Sequence, residues 1–283
     1  RMDYKKFWDF HLSKKSELSI SVQPVTAEEA TSLGILKTDE NSRIIKFVEK
    51  PDKEDLQDLK SPGLPDDKPF LASMGIYLFN TDILIDKLNT IHEHDFGHDI
   101  IPLIIQSNRV FAYKFSGYWK DIGTIQAFFE SNLELASHKP PFSFYDEESP
   151  IYTRARSLPG SRVDNAKISN SLLADGGKIN QCELKNTVVG LRSYVDKGSV
   201  LENVVLMGAD YYDEVQNQDI PPLGIGQECH IKNAIIDKNA RIGDNVKIVN
   251  KDNVENKESD YYEIKDGITV IPKNTIIHSD TVI

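Results

Sequence analysis

Ile168-Ser-Asn-Ser-Leu-Leu, Leu184-Lys-Asn-Thr-Val-Val and Val200-Leu-Glu-Asn-Val-Val stand sixteen residues apart in the second half of the chain. The phrase returns as Ile231-Lys-Asn-Ala-Ile-Ile and again as Pro272-Lys-Asn-Thr-Ile-Ile, with proline for the first apolar residue. Three apolar series carry it: Val163, Ile179 and Val195; Ile168, Leu184 and Val200; and Leu173, Val189 and Val205. Apolar residues every five to six positions, with glycine at the corners (Gly190, Gly198, Gly208, Gly226, Gly243), describe a parallel β-helix. One coil cannot bury its apolar edge alone, so the coils must stack. Two stretches, 209–223 and 250–262, break the pattern and read as loops on one face.

Upstream the periodicity is mixed. Tyr4 to Lys15 reads as a helix, and Leu18, Ile20 and Val22 alternate with Glu17, Ser19 and Ser21 as a half-buried strand ending at Pro24. Thr26 with Glu29 has capping-box spacing. Ile35-Leu36 and Ile44 to Val48 flank a turn, and Phe70 to Phe79 and Val110 to Phe115 are further strands. Helices are expected from Thr81 as N-cap, with Ile83, Leu84 and Leu88 inward, over 99–106, and from Thr124, with Ile125, Phe129, Leu133 and Ala136 inward. Strands and helices thus alternate, giving an α/β domain over 1–137. A proline-rich linker (138–160) and the β-helix (161–283) follow.

Of 283 residues, 33 are Lys or Arg and 44 Asp or Glu, a net charge of −11. That balance, without a long basic run, argues against nucleic acid or anionic lipid as partner. No apolar run is long enough for a membrane helix. Two cysteines, Cys182 and Cys229, make no disulfide framework and suit a reducing compartment. The chain opens Arg1-Met2-Asp3-Tyr4, which reads as the inside of a domain whose beginning lies upstream.

Four short motifs have chemical potential. In Glu49-Lys50-Pro51, a lysine at a strand end suits a phosphate or is an ordinary surface charge. Ala72-Ser73-Met74-Gly75 lies in a strand, where Gly75 reads as close packing or as part of a site. Asp95-Phe96-Gly97 precedes a helix, and Asp95 could simply favour its positive end. Trp119-Lys120-Asp121-Ile122-Gly123-Thr124 joins a strand to a helix, where open α/β sheets bind ligands, and a hard carboxylate there suits Mg²⁺. His92 and His94 read as a solvated turn. Walker A, Rossmann and zinc patterns are absent from the sequence.

An α/β domain followed by a β-helix resembles the sugar-nucleotide pyrophosphorylases. The wording resembles one family, the ADP-glucose pyrophosphorylases, or glucose-1-phosphate adenylyltransferases. The matches include Arg1-Met2-Asp3-Tyr4, Phe47 to Pro51, Ala72 to Gly75, Asp95 to Gly97, Tyr118 to Thr124, Pro150 to Thr153, Met207 to Tyr212 and Ile236 to Gly243. The resemblance implies an incomplete, Rossmann-like nucleotidyltransferase domain and a left-handed parallel β-helix. It implies that glucose 1-phosphate attacks the α-phosphorus of ATP with Mg²⁺. Lys50 would hold the sugar phosphate, Glu49 and Asp95 the glucose hydroxyls, with Gly34 and Ser73 lining that pocket and Asp121 a metal ligand. Lys238 and Lys273 match activator lysines for 3-phosphoglycerate, with Arg154 and Arg156 beside inhibitory phosphate. A homo- or heterotetramer is implied, cytoplasmic in a bacterium or plastidic in a plant or alga. The family's Gly-rich loop and first metal aspartate would lie upstream, so the 283 residues alone are expected to be inactive. The alternatives are a non-catalytic regulatory subunit, another sugar-nucleotide pyrophosphorylase, or a hexapeptide acyltransferase, the last disfavoured because neither His230 nor His278 has paired context.

Overall fold

The computed structural model describes residues 2–90, 95–107, 109–213 and 220–283, apart from the side chains of residues 96 and 107. His92 and His94 lie outside the described residues. Contacts divide the chain into two compact units, 1–119 and 120–283.

In the first unit, α1 (Tyr4–Ser13) starts where the Asp3 side chain accepts from the Lys5 and Lys6 amides. Its Phe7 is buried and stacks on Tyr113, ring centroids 4.8 Å apart. β1 (Leu18–Val25) follows, then α2 (Ala27–Ala30), whose Thr26 and Glu29 form the expected capping box. β2 (Gly34–Thr38) and β3 (Ile44–Glu49) make the expected hairpin. β4 (Phe70–Phe79), α3 (Thr81–Thr90), α4 (Ile101–Ser107) and β5 (Val110–Lys114) complete the unit. The sheet order is β3-β2-β4-β1-β5; β1 and β5 are parallel and the other pairs antiparallel. Leu18, Ile20 and Val22 join Leu36, Leu71, Ile101 and Ile104 in one core cluster, and Val25, Ile35, Phe70 and Ala72 form another.

Five local expectations, in β1, α3 and α4, are corrected. β1 is buried throughout most of its length rather than half-buried, because its serines find partners inside. Ser19 Oγ lies 2.9 Å from His11 Nδ1, and the Ser21 hydroxyl donates to Met74 Sδ at 3.1 Å. The strand also continues through Pro24, which lies beyond the last residue paired with β5, where one side has no ladder to complete. Thr81 is the first helical residue of α3, and the Asn80 carbonyl accepts the Leu84 amide in the capping position. That helix buries none of its side chains fully, and Leu88, expected inward, is 50% exposed. α4 begins two residues later than expected, after a π-type turn over Phe96–Ile100.

In the second unit, the Thr124 side chain accepts from the Ala127 amide and starts α5 (Ile125–Leu135). Phe129 and Leu133 pack against Val205, Ile235 and Ile268, so this helix covers one face of the solenoid. Residues 140–160 form neither helix nor strand.

Parallel pairings link successive coils, confirming a parallel β-helix. The series Val163, Ile179, Val195 stacks as expected. The other two series slip by one residue: Leu184 pairs with Leu201 rather than Val200, and Val189 with Leu206 rather than Val205. The extra residue is taken up between Val195 and Leu201, where Gly198 has φ +73°. The motif 272–277 is also reassigned. Ile276 and Ile277 pair with Arg241 and Ile242, so it stacks on 237–242, while Thr269 to Ile271 continues the column of Ala234 to Ile236. Of the two expected loops, 250–262 is partly a hairpin, Lys257–Glu258 pairing antiparallel with Glu263–Lys265.

Each long strand turns a corner at an asparagine. Asn186, Asn203 and Asn233 have φ near +50°, at +50°, +53° and +50°. The Asn186 amide donates to Asn203 Oδ1 at 2.8 Å, and the Asn203 amide to Asn233 Oδ1 at 3.0 Å. Asparagine tolerates the left-handed region better than residues lacking a short polar side chain. Replacing Asn203 with Ala should therefore cost about 1–3 kcal/mol, combining left-handed strain with two lost side-chain bonds. Denaturant unfolding of the variant checks this, and a loss below 0.5 kcal/mol (roughly the noise of a neutral surface change) would contradict it.

Candidate functional site

β2 and β3 bring the first group together. Gly34 pairs with Glu49 across the hairpin. A Cβ on Gly34 would lie 2.6 Å from Glu49 Oε2 and 2.7 Å from Phe47 Cζ. A Cβ on Gly97 would lie 2.9 Å from the same carboxylate oxygen and 3.5 Å from Asp95 Oδ1. The half-buried Glu49 carboxylate thus lies against two glycine positions, where an added Cβ would force it to shift, with Asp95 close by. Lys50 is exposed at the end of β3, its backbone left-handed at φ +45° and its amide donating to the Leu33 carbonyl at 3.1 Å. Ser73 follows Ala72, which faces Ile35, so it lies beside Gly34 at the same end of the sheet. Its hydroxyl accepts the Gly75 amide at 3.2 Å. The structure therefore gathers Gly34, Glu49, Lys50, Ser73 and Asp95 at one end of the first unit's sheet.

Sequence reasoning missed Gly97 as a framing residue and His98 altogether. The His98 amide donates to Asp95 Oδ1 at 2.8 Å, and its Nδ1 lies 2.6 Å from Asp99 Oδ1. The hydrogen bond to Asp99, then the charges of Asp99, Asp95 and Glu49, push the imidazole pKa above its usual value. The only signal in the sequence is the run Asp95-Phe-Gly-His-Asp itself.

Asp121 belongs to the other compact unit, exposed in the segment leading into α5. Gly123 lies close, where a Cβ would come within 3.2 Å of Asp121 Oδ2. Among the described residues no three His, Cys, Asp or Glu side chains cluster to hold a metal. A lone hard carboxylate still fits Mg²⁺, which is commonly bound through one or two carboxylates plus water and substrate phosphates.

A third group lies on the solenoid. The Asn274 amide donates to the Lys238 carbonyl at 3.0 Å, and the Asn239 side-chain amide to Asn274 Oδ1 at 3.0 Å. That stacking places Lys273 one coil from Lys238. Both lysines reach one carboxylate, Asp210, at 3.0 Å from Lys238 Nζ and 2.8 Å from Lys273 Nζ. These two bonds, Lys273 first, hold the Asp210 carboxyl far below the usual carboxylate range. A cavity of about 450 Å³ beside them is lined by Arg154, Arg156, Arg192, Asp210 and Lys238. Arg192 donates to the Ala209 carbonyl at 3.3 Å and lies over the Tyr212 ring. Arg192 and Asp210 were not singled out from the sequence; a corrected coil register points to them, because residues 175, 191, 208 and 238 follow one another in the backbone ladder.

Comparison with known proteins bears on both units. Residues 1–138 match the family model described as nucleotidyl transferase, and residues 156–282 match the GLGC left-handed parallel beta-helix domain. These matches define a nucleotidyltransferase domain joined to a left-handed β-helix. The chain is 43% identical over 303 residues to the glucose-1-phosphate adenylyltransferase small subunit, chloroplastic/amyloplastic, of Triticum aestivum, and belongs to that family. The alignment takes in all of this chain and 64% of the wheat protein's length.

Because folding raises the His98 pKa, its contribution to stability is present below the unfolded value of about 6.5 and lost as pH rises through the folded value. An NMR titration should place the His98 midpoint above that of a free histidine, and Asp99→Asn should return it. A midpoint unmoved by that substitution would contradict the pairing.

Proposed function

We propose that this chain carries the sugar-binding part and the effector-binding solenoid of a glucose-1-phosphate adenylyltransferase. The observation supporting this most directly is the Glu49 carboxylate framed by Gly34 and Gly97, with Lys50 the next residue. A carboxylate held between two bare backbone positions presents acceptors to hydroxyl groups without side-chain obstruction. Asp95 adds a second acceptor, and Ser73 a hydroxyl. This donor and acceptor set suits glucose, and the lysine suits the phosphate on its anomeric carbon.

In the proposed reaction a phosphate oxygen of α-D-glucose 1-phosphate forms a bond to the α-phosphorus of ATP. The bond to the β-phosphate bridging oxygen breaks, giving ADP-glucose and pyrophosphate. Lys50 fixes the attacking phosphate and offsets part of its charge, while Glu49 and Asp95 orient the sugar, so this chain's contribution is chiefly positioning. Asp121 would hold Mg²⁺, which when bound neutralises phosphate charge. The product feeds starch or glycogen synthesis. The domain division we infer is catalytic over 1–137, a linker over 138–160 and regulatory over 161–283, although α5 packs with the solenoid. Arg154, Arg156, Lys238 and Lys273 would take 3-phosphoglycerate and phosphate. The wheat relative's name specifies a small subunit of a plastid enzyme, which favours assembly with a second kind of subunit and a plastid setting, the tetramer itself resting on family resemblance; a bacterial source would make it cytoplasmic.

The test is pyrophosphate release from ATP and glucose 1-phosphate with Mg²⁺ by the polypeptide that contains this chain. The isolated 283 residues, which include no glycine-rich phosphate loop, are expected to be silent. Lys50→Ala should raise the KM for glucose 1-phosphate about 10- to 100-fold with a smaller change in kcat, as loss of a charged hydrogen bond predicts. An unchanged KM removes Lys50 from the pocket. Lys273→Gln should raise the 3-phosphoglycerate concentration needed for half-activation while leaving that KM alone. Release of no pyrophosphate with any nucleotide would support a non-catalytic regulatory subunit instead.

A further inference from the structure

Lys238 and Lys273 are not free cations here. Adjacent coils of a β-helix are about 5 Å apart, so two ammonium groups in one column repel each other. Asp210 relieves that repulsion by receiving both. Its carboxylate is also held by the Asn239 side-chain amide, at 3.3 Å, while its own backbone amide donates to Asn239 Oδ1 at 2.8 Å. Asn239 in turn is fixed by Asn274 on the next coil. Asp210 thus offers the lysines what a bound phosphate would offer, negatively charged oxygens at hydrogen-bond distance. It does so at the edge of the cavity lined by Arg154, Arg156 and Arg192, the most cationic surface of this unit's described pockets.

We propose that Asp210 is a built-in competing anion, which occupies the lysine pair in the absence of effector and must give up Lys238 and Lys273 when an effector phosphate binds. This rests on the reading of the two lysines as the effector site. A tethered carboxylate competes at a high effective concentration, so it sets the effector concentration at which the site fills. With its proton affinity suppressed by the two lysines, Asp210 remains an anion across the physiological range. Asp210 also begins the 209–223 insertion. A few residues on, Asp213 pairs with Arg241 through two hydrogen bonds, at 2.6 and 2.9 Å, and accepts the Leu223 amide at 2.8 Å. The backbone on both sides of Asp210 is thus anchored independently of the lysines, by the Ala209 amide donating to the Leu191 carbonyl at 2.8 Å and by the Arg241 clamp on Asp213, so only the Asp210 side chain has to move.

The test is calorimetric binding of inorganic phosphate and of 3-phosphoglycerate to the intact protein and its Asp210→Asn, Lys238→Gln and Lys273→Gln variants. Asp210→Asn keeps the shape and removes the charge, and should tighten phosphate binding about 5- to 10-fold, because a nearby like charge has been removed. The half-activating concentration of 3-phosphoglycerate should fall by a similar factor. Unchanged or weaker binding in Asp210→Asn, with wild-type binding still dependent on the lysines, would overturn the competitor role and leave the effector site standing. Binding indifferent to both lysine substitutions would overturn the effector reading and this inference together. If Asp210→Asn does not fold, as judged by its unfolding transition, Asp210→Ser applies the same test.

Discussion

The solenoid depends on a backbone conformation that most residues avoid. At each turn of one corner the chain enters the left-handed region, and Asn186, Asn203 and Asn233 supply the residue that can adopt it. The carboxamide is both donor and acceptor, so identical residues can stack head to tail along a column, each satisfying the next. This ladder pins the coils in register. A slip of one residue would turn the apolar columns outward. The cluster of Asp210, Lys238 and Lys273, formed by residues from separate coils, is aligned by an asparagine pair of its own, Asn239 with Asn274.

How much of this could be read from the sequence follows from the same feature. The series Val163, Ile179, Val195 was legible because valine and isoleucine recur at an even spacing of sixteen. The slip at Leu201 was not, because Val200 and Leu201 are both apolar and hydrophobicity cannot choose between them. The polar ladder can: Asn186 and Asn203 are seventeen residues apart, and it is they that stack. Likewise Pro272 to Ile277 resembles two different edges of the coil, and only strand pairing selects 237–242. In the first unit, the capping box at Thr26 and the hairpin were local and readable. The burial of Ser19 and Ser21 was not, since their partners are side chains brought close only by the fold.

The two charged clusters handle acid in opposite ways. Glu49 lies against bare backbone, its carboxylate packed close to Gly34 and Gly97. Asp210 is surrounded by donors and already engaged. The residues of the first cluster were identifiable from family resemblance, one by one, yet nothing in the chain's order shows that residue 97 closes over residue 49. For the second, the lysines were legible and the acid between them was not, because Asp210 belongs to the start of an insertion and not to the repeat. In both places the local geometry is set by what adjoins the recognisable residue.

The solenoid measures height in coils rather than in residues. Thirty residues separate Leu201 from Ile231, and seventeen separate Leu184 from Leu201, yet each step is one layer. Thirty-five separate Arg241 from Ile276, again one layer. The excess lies within 209–223 and 250–265, between strands that pair in register on either side. Chain length and vertical spacing are thereby uncoupled. The outward segments can differ in length while the distance between one layer's lysine and the next stays constant, so the stack keeps a fixed gauge between Lys238 and Lys273 whatever the length of chain that joins their layers.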